Sequence, residues 1–212
     1  MIAALVPVKT LATSKSRLFP ELGRTAVAQL STAMMADVVA VLQRVPRLAR
    51  VVVVTPDAEV ASAARAAGAD ALLRPDPGLN AAIERAAVEV APATGDGLLV
   101  VLGDVAALAA RDVEILLDAV AAPGVALAPS SDGGTSALLR LPRDVIPARF
   151  GPDSAKRHQE EAERAGVTCR RVALPSLAID VDTARDLQEI LRAGSLGART
   201  RAVLDALGVS AP

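Results

Sequence analysis

The chain has 212 residues, enough for one well-buried domain and short for two. Its 23 Lys and Arg nearly balance 24 Asp and Glu, for a net charge of −1, so no basic excess is on offer to nucleic acid. Two Phe with no Trp or Tyr leave an aliphatic core and almost no aromatic platform for stacking bases, and the single cysteine, Cys169, forbids an intrachain disulfide, as suits a reducing cytoplasm.

An apolar run at 2–6, stopped by Pro7, predicts a buried strand. It is too short for a signal peptide and lacks a basic flank, and no stretch reads as a membrane span, so the expectation is a soluble cytoplasmic protein without a membrane partner. Val27, Leu30, Met34, Val38, Leu42 and Val45 recur every three or four residues and predict a helix over 25–45, capped by Thr25. Four valines at 51–54 read as a strand covered on both faces. A helix over 58–67 closed by Gly68, a strand at 71–73, a helix over 79–90 and a buried strand at 98–102 follow. Beyond them come a helix at 112–120, strands at 125–128 and 137–141, a helix at 154–165, a strand at 169–173 and helices at 183–192 and 196–207. This alternation predicts one α/β domain over 1–212, doubly wound on a mostly parallel sheet, with the Gly-linked pair at 125–141 adding an antiparallel edge. Only the tail 210–212 reads as lying outside it.

In such sheets ligands bind beyond the carboxyl ends of the strands. After the first strand come Lys9, Thr10, Ser14, Lys15, Ser16 and Arg17; after the second, Thr55-Pro56-Asp57; after 98–102, Gly103-Asp104; late in the chain, Asp180 and Asp182. Cations facing carboxylates are what a metal–triphosphate needs, with Lys and Arg for phosphate oxygens and hard oxygens for Mg²⁺. Neither G-x-x-x-x-G-K-[ST] nor a G-x-G-x-x-G after the first strand is present, which argues against a P-loop enzyme and a nicotinamide dehydrogenase. Plainer roles compete. Lys15 and Arg17 could be solvated charges, Asp182 could cap the next helix, and Asp104 could be a loop residue. His158, among Lys156, Arg157 and Gln159, reads as exposed, and one His with one Cys cannot build a zinc site or a Cys–His pair.

Five segments taken together carry a resemblance. They are Val6-Pro7-Val8-Lys9 with Lys15-Ser16-Arg17-Leu18, Pro77-Gly78-Leu79-Asn80, Ser131-Asp132-Gly133-Gly134-Thr135-Ser136-Ala137-Leu138, Phe150-Gly151-Pro152-Asp153-Ser154 with His158, and Asp180-Val181-Asp182-Thr183. In this order and over nearly the whole length, the chain resembles the guanylyltransferases of deazaflavin (coenzyme F-420) biosynthesis. That resemblance implies the nucleotide-diphospho-sugar transferase (GT-A-like) type of sheet. It also implies transfer of GMP from GTP to phosphoenolpyruvate or 2-phospho-L-lactate with release of pyrophosphate, and handover of an unstable product to the next enzyme. It would place Mg²⁺ on Asp104, Asp180 and Asp182, and the acceptor's phosphate and carboxylate on Thr135, Gly151 and Ser154. The nucleotide would meet Pro7, Lys9, Lys15, Arg17, Asp57 and Asp104, with Gly78 and Asn80 near guanine or ribose. Lys9, Lys15 and Arg17 would stabilise the departing pyrophosphate. A helix opening at Ser154 would offer free N–H groups to an anion, and Gly133-Gly134 would let backbone approach closely.

One departure stands out. The resembled family carries a D-x-P-L type segment where this chain has Asp104-Val105-Ala106-Ala107-Leu108, which predicts a looser loop. Competing readings are a related transferase acting on a molybdopterin or sugar phosphate, a glycosyltransferase, or a nucleotide-binding module without activity. Among acceptors, an Ala-, Arg- and Val-rich composition suggests a bacterial gene, whose relatives favour phosphoenolpyruvate; 3-phosphoglycerate is the third candidate.

Overall fold

A computed structural model describes residues 1–12 and 15–209, so Ser14 and the tail 210–212 lie outside the described residues. The elements in chain order are β1 (Ile2–Pro7), α1 (Phe19–Leu22), α2 (Arg24–Leu42), β2 (Leu48–Thr55), α3 (Ala58–Ala66), β3 (Asp70–Leu73), α4 (Leu79–Val90), β4 (Gly97–Val101) and α5 (Ala110–Asp118). The rest are β5 (Gly124–Pro129), β6 (Thr135–Leu141), α6 (Ser154–Ala165), β7 (Thr168–Arg171), α7 (Ala184–Ala193) and α8 (Ala198–Ala206). The short helical stretch Ser16–Leu18 with α1 was not foreseen; Pro20 opens α1 and Gly23 ends it. Gly23, at φ 78°, also caps α2, so Thr25 sits inside the helix and is not its cap. α2 stops at Leu42, three residues short of the expected end.

The strands form one seven-stranded sheet in the order β3-β2-β1-β4-β6-β5-β7. The antiparallel part expected at 125–141 is one reversed strand, β6, paired against both β4 and β5. It lies two strands in from the margin, and the margin itself is β7, parallel to β5. Alternation along β1 shows why helices cover both faces. Ala4 and Val6 pack with Met35 and Val38 of α2, Val60 of α3 and Leu116 of α5. Ala3 and Leu5 pack with Ile83 and Ala86 of α4 and Ala155 and Ala162 of α6. A third cluster joins Leu18, Leu30 and Met34 to Val181, Leu187 and Leu204, so the last helices dock against α2.

The 19-residue α2, with mean hydropathy 1.6, is long and apolar enough to cross a membrane by length and composition, which corrects the sequence reading. Here it is a core helix, with 72% of that stretch buried inside the fold.

Candidate active site

Parallel pairing brings the ends of β1, β2 and β4 to one margin; Pro7 lies opposite Val54, and Leu5 opposite Val100. Because β6 runs the other way, its first residues arrive at that same margin, and Leu102 N–H binds the Ser136 carbonyl at 3.0 Å. One reversed strand thus sets Thr135 across from the Gly103-Asp104 turn. A cleft of about 540 Å³ opens there. Its lining holds Pro7 with the cations Lys9, Lys15 and Arg17, the carboxylates of Asp104, Asp180 and Asp182, and Thr135, Gly151 and Ser154. The expected residues are brought together except for Asp57, Gly78 and Asn80.

Lys15 is the centre of the charged lining. It adopts a left-handed conformation at φ 52°, unusual for a non-glycine residue, at the start of the Ser16–Leu18 turn, which buried Leu18 pins to the core. Its Nζ reaches Asp104 Oδ2 at 2.8 Å, Asp182 Oδ1 at 3.1 Å and the Val181 carbonyl. Burial works against the ammonium charge, but Asp104 and then Asp182 outweigh it and hold the pKa above the ordinary lysine value. Lys9 and Arg17 are exposed, with no ion pair among the described residues.

The carboxylates come from two loops. Val181 N–H binds the Asp104 carbonyl at 3.3 Å and the Val181 side chain is fully buried, which ties the segment carrying Asp180 and Asp182 to the turn after β4. Capping of α7 falls to Thr183, which forms a reciprocal capping box with Asp186, so Asp182 is left for Lys15. Asp104 Oδ1 is buried without a partner. Burial, followed by the neighbouring Asp104, pushes the Asp180 carboxyl up to about 6, with Asp132 and Asp182 adding to the push. The three aspartates do not already form a ready-made cage; among the described residues no group of three His, Cys, Asp or Glu is so gathered. The loop after Asp104 is not loose. Val105 and Ala106 are buried, Ala106 N–H binds the Asp104 carbonyl at 2.9 Å, and the Ala106 carbonyl accepts from Gly197 N–H.

Hydroxyls form another part of the lining. Ser154 Oγ donates to Thr135 Oγ1 at 3.0 Å, and His158 Nδ1 lies 3.1 Å from the same oxygen. His158 is fully buried, against the sequence expectation of an exposed side chain, and Arg149 N–H donates to its Nε2 at 2.9 Å. Burial, then the charges of Arg140, Arg157 and Arg149, depress its pKa to about 4. The start of α6 differs from the expected ring of free amides, since Ser154 N–H binds the Gly151 carbonyl and Ala155 N–H binds that of Gly133. Asp132, which the sequence reading left without a role, also lines the cleft. It accepts from Ser130 Oγ and Gly134 N–H, which hold its carboxyl below the usual range. A Cβ on Gly134 would come within 2.6 Å of Ser130 Oγ and 2.9 Å of Asp132 Oδ1, so a larger residue there would push on the Ser130–Asp132 pair.

Three residues expected at the nucleotide do not line this cleft, and each has a local structural part. Asp57 caps α3 through Glu59 and Val60 N–H and also accepts from Thr10 Oγ1 and Leu11 N–H. Burial opposes its charge, but those donors outweigh it and keep the carboxyl below the ordinary range. The Asn80 amide binds both backbone groups of Phe150, donating to the carbonyl at 3.1 Å and accepting from N–H at 2.7 Å. Gly78 caps α4 at φ 92°, a conformation suited to glycine, and does not line the cleft.

Known proteins resemble this chain over most of its length. A phosphoenolpyruvate guanylyltransferase of Sphaerobacter thermophilus is 36% identical over 92% of this chain and 95% of its own length. One from Roseiflexus castenholzii is 41% identical over 87% and 85%. A 3-phospho-D-glycerate guanylyltransferase of Colwellia psychrerythraea is 32% identical over 87% and 88%. A crystal structure from Desulfovibrio desulfuricans, provisionally named a nucleotide-diphospho-sugar transferase, superposes with a TM-score of 0.77 at 20% identity, covering 100% of this chain and 99% of that one, and shows the fold. The family model described as guanylyl transferase, CofC like, matches residues 2–211, and the chain belongs to that family of nucleotidyltransferases.

Proposed function

We propose that this enzyme transfers GMP from GTP to phosphoenolpyruvate, releasing pyrophosphate, as a cytoplasmic step of deazaflavin cofactor assembly. The observation that carries the reading is the make-up of the cleft. Its lining brings cations and carboxylates, tied to one another through Lys15, together with the buried Thr135–Ser154 hydroxyl pair. The names of the Sphaerobacter and Roseiflexus relatives favour this acceptor, and that of the Colwellia relative makes 3-phosphoglycerate the alternative to test.

In the proposed reaction an acceptor phosphate oxygen attacks the α-phosphorus of GTP in line. The new P–O bond forms as the bond to the bridging oxygen breaks, and that oxygen leaves with pyrophosphate. The attacking oxygen is already ionised at neutral pH, so no side chain has to remove a proton. What remains is positioning and charge neutralisation. Lys9 and Arg17, which line the cleft exposed and without ion pairs among the described residues, would meet phosphate oxygens. Thr135 and Ser154 would hold the acceptor's anionic end. Mg²⁺ suits the aspartates: Asp104 Oδ1 is bare and buried, and the Lys15 ammonium already stands as a cation between Asp104 and Asp182. When bound there, the ion would neutralise the triphosphate and the charge developing on the leaving group. Lys15 would then turn from the carboxylates to the phosphates.

Pyrophosphate release from GTP with phosphoenolpyruvate, 2-phospho-L-lactate and 3-phosphoglycerate tests the reading. The expected result is the highest kcat/KM with phosphoenolpyruvate. Absence of release with all three, in a folded protein supplied with Mg²⁺, would overturn it.

A further inference from the structure

We infer that His158 is a positioning residue that turns the Thr135–Ser154 hydroxyl pair into a hydrogen-bond donor toward the acceptor's anionic end. The inference rests on the proposed reading for the identity of the anion, but not for the geometry. A backbone N–H can only donate, so the Nε2 that Arg149 N–H meets at 2.9 Å carries no proton. The ring is neutral at ordinary pH, since burial and the surrounding arginines disfavour a second proton. Its single proton therefore sits on Nδ1, which donates to Thr135 Oγ1 at 3.1 Å.

Counting hydrogens gives the consequence. Thr135 and Ser154 own two hydroxyl hydrogens and share one hydrogen bond. With Nδ1 as a donor, neither hydrogen is taken by the ring, and one stays free to point into the cleft. With the opposite tautomer, Thr135 would donate to Nδ1 and Ser154 to Thr135. Both hydrogens would then be engaged, and the pair would present only lone pairs to a negatively charged ligand. The Arg149 backbone amide thus selects the tautomer, and the ring passes that choice to the hydroxyls. The ring is held for this task, fully buried and edge-on to Phe150 at 5.1 Å and 74°. Phe150 is in turn fastened by the Asn80 amide.

The chain has one histidine, so a spectrum of protein labelled with ¹⁵N-histidine reports this ring alone. The expected signature at neutral pH is a protonated Nδ1 and a bare Nε2; the reverse tautomer overturns the inference. With Mg²⁺ and a non-hydrolysable GTP analogue present, titration with phosphoenolpyruvate should move the Nδ1–H resonance, and an unmoved resonance also overturns it. In turnover, His158→Leu and His158→Asn have nearly the same shape, but only the amide can donate where Nδ1–H stood. The Leu variant should raise the acceptor KM by roughly tenfold or more with the GTP KM unchanged, and the Asn variant should recover most of that loss. Equal acceptor KM values for the two variants mean that His158 only fills space. If wild-type protein turns over none of the three acceptors, the proposed reaction fails, while the tautomer is still decided by the spectrum.

Discussion

Asp104 does two jobs with one carboxylate. Oδ2 holds Lys15 at 2.8 Å, and Oδ1 is buried with no partner. An amide in its place keeps the shape and loses the charge that a cation needs there. Asp104→Asn should lower kcat by about 10²-fold or more while circular dichroism and Tm stay near wild type; near-normal turnover with Mg²⁺ would remove the metal assignment. His158 gives a pH prediction of definite sign. Its folded pKa of about 4 lies below the ordinary value of about 6.5, so the unfolded chain binds the extra proton first. The stability it contributes is complete above about 6.5 and is lost as pH falls toward 4. Arg140, Arg157 and Arg149 reinforce this, and Glu161 opposes it. Asp180 acts in the opposite sense, because the folded state keeps its proton up to about 6. The clean measurement is therefore a difference. Urea-denaturation free energies of wild type minus His158→Asn should shrink as pH is lowered from 7 to 4.5. Asp104 was legible in the sequence because it closely follows an apolar strand, whereas Lys15, Asp180 and Asp182 stood out through the motifs of the resembled family. His158 was not legible, since charged neighbours on the helix disguised it. The signal lay in the period: Ser154, His158 and Ala162 are four residues apart, and all face inward.

At the level of elements, two polar residues expected to meet nucleotide also fasten loops. Asp57 links the start of α3 to the segment after β1, and Asn80 links α4 to the segment before α6. Each lies beside a motif, so sequence position alone cannot separate fastening from binding; the partners are 46 and 70 residues away. Asp57→Ala should lower stability by about 1–2 kcal/mol, the usual cost of a lost helix cap. Asn80→Ala should cost about 1–3 kcal/mol through the unpaired Phe150 backbone groups and should raise the acceptor KM more than the GTP KM. Denaturation curves and initial rates check both. Strand and helix identities were legible because apolar runs and three-to-four spacing are local signals. The turns over 16–22 were not, because their stability comes from Leu18 reaching the core formed with α7 and α8.

Across the whole molecule, the reversal of β6 is the feature periodicity could not supply. Strand direction depends on pairing partners, and β6 is hydrogen-bonded between β4 and β5. The same strand carries Arg140, fully buried, which donates to Glu84 at 2.7 Å and to the Ile146 carbonyl at 2.9 Å. Glu84 also accepts from Ala148 N–H, so one carboxylate joins α4, the sheet and the loop before α6. Glu84→Ala should cost at least about 2 kcal/mol, less than the ~3–5 of a fully enclosed pair because the Glu84 side chain is 42% exposed. Arg140→Met should cost less than Glu84→Ala, since it leaves no buried charge unpaired.

The bond between Lys15 and Asp182 closes a span of 167 residues. Chains emerge from the ribosome at about 5–20 residues per second, so the lysine waits roughly ten to thirty seconds for its last counter-charge. The residues of β1, β2 and β4 are all synthesised by then, so the strands that end at this margin precede the cleft's last two carboxylates in the order of synthesis. A chain stalled before residue 180 would lack Asp180 and Asp182, and Lys15 would have only Asp104 as a charged partner.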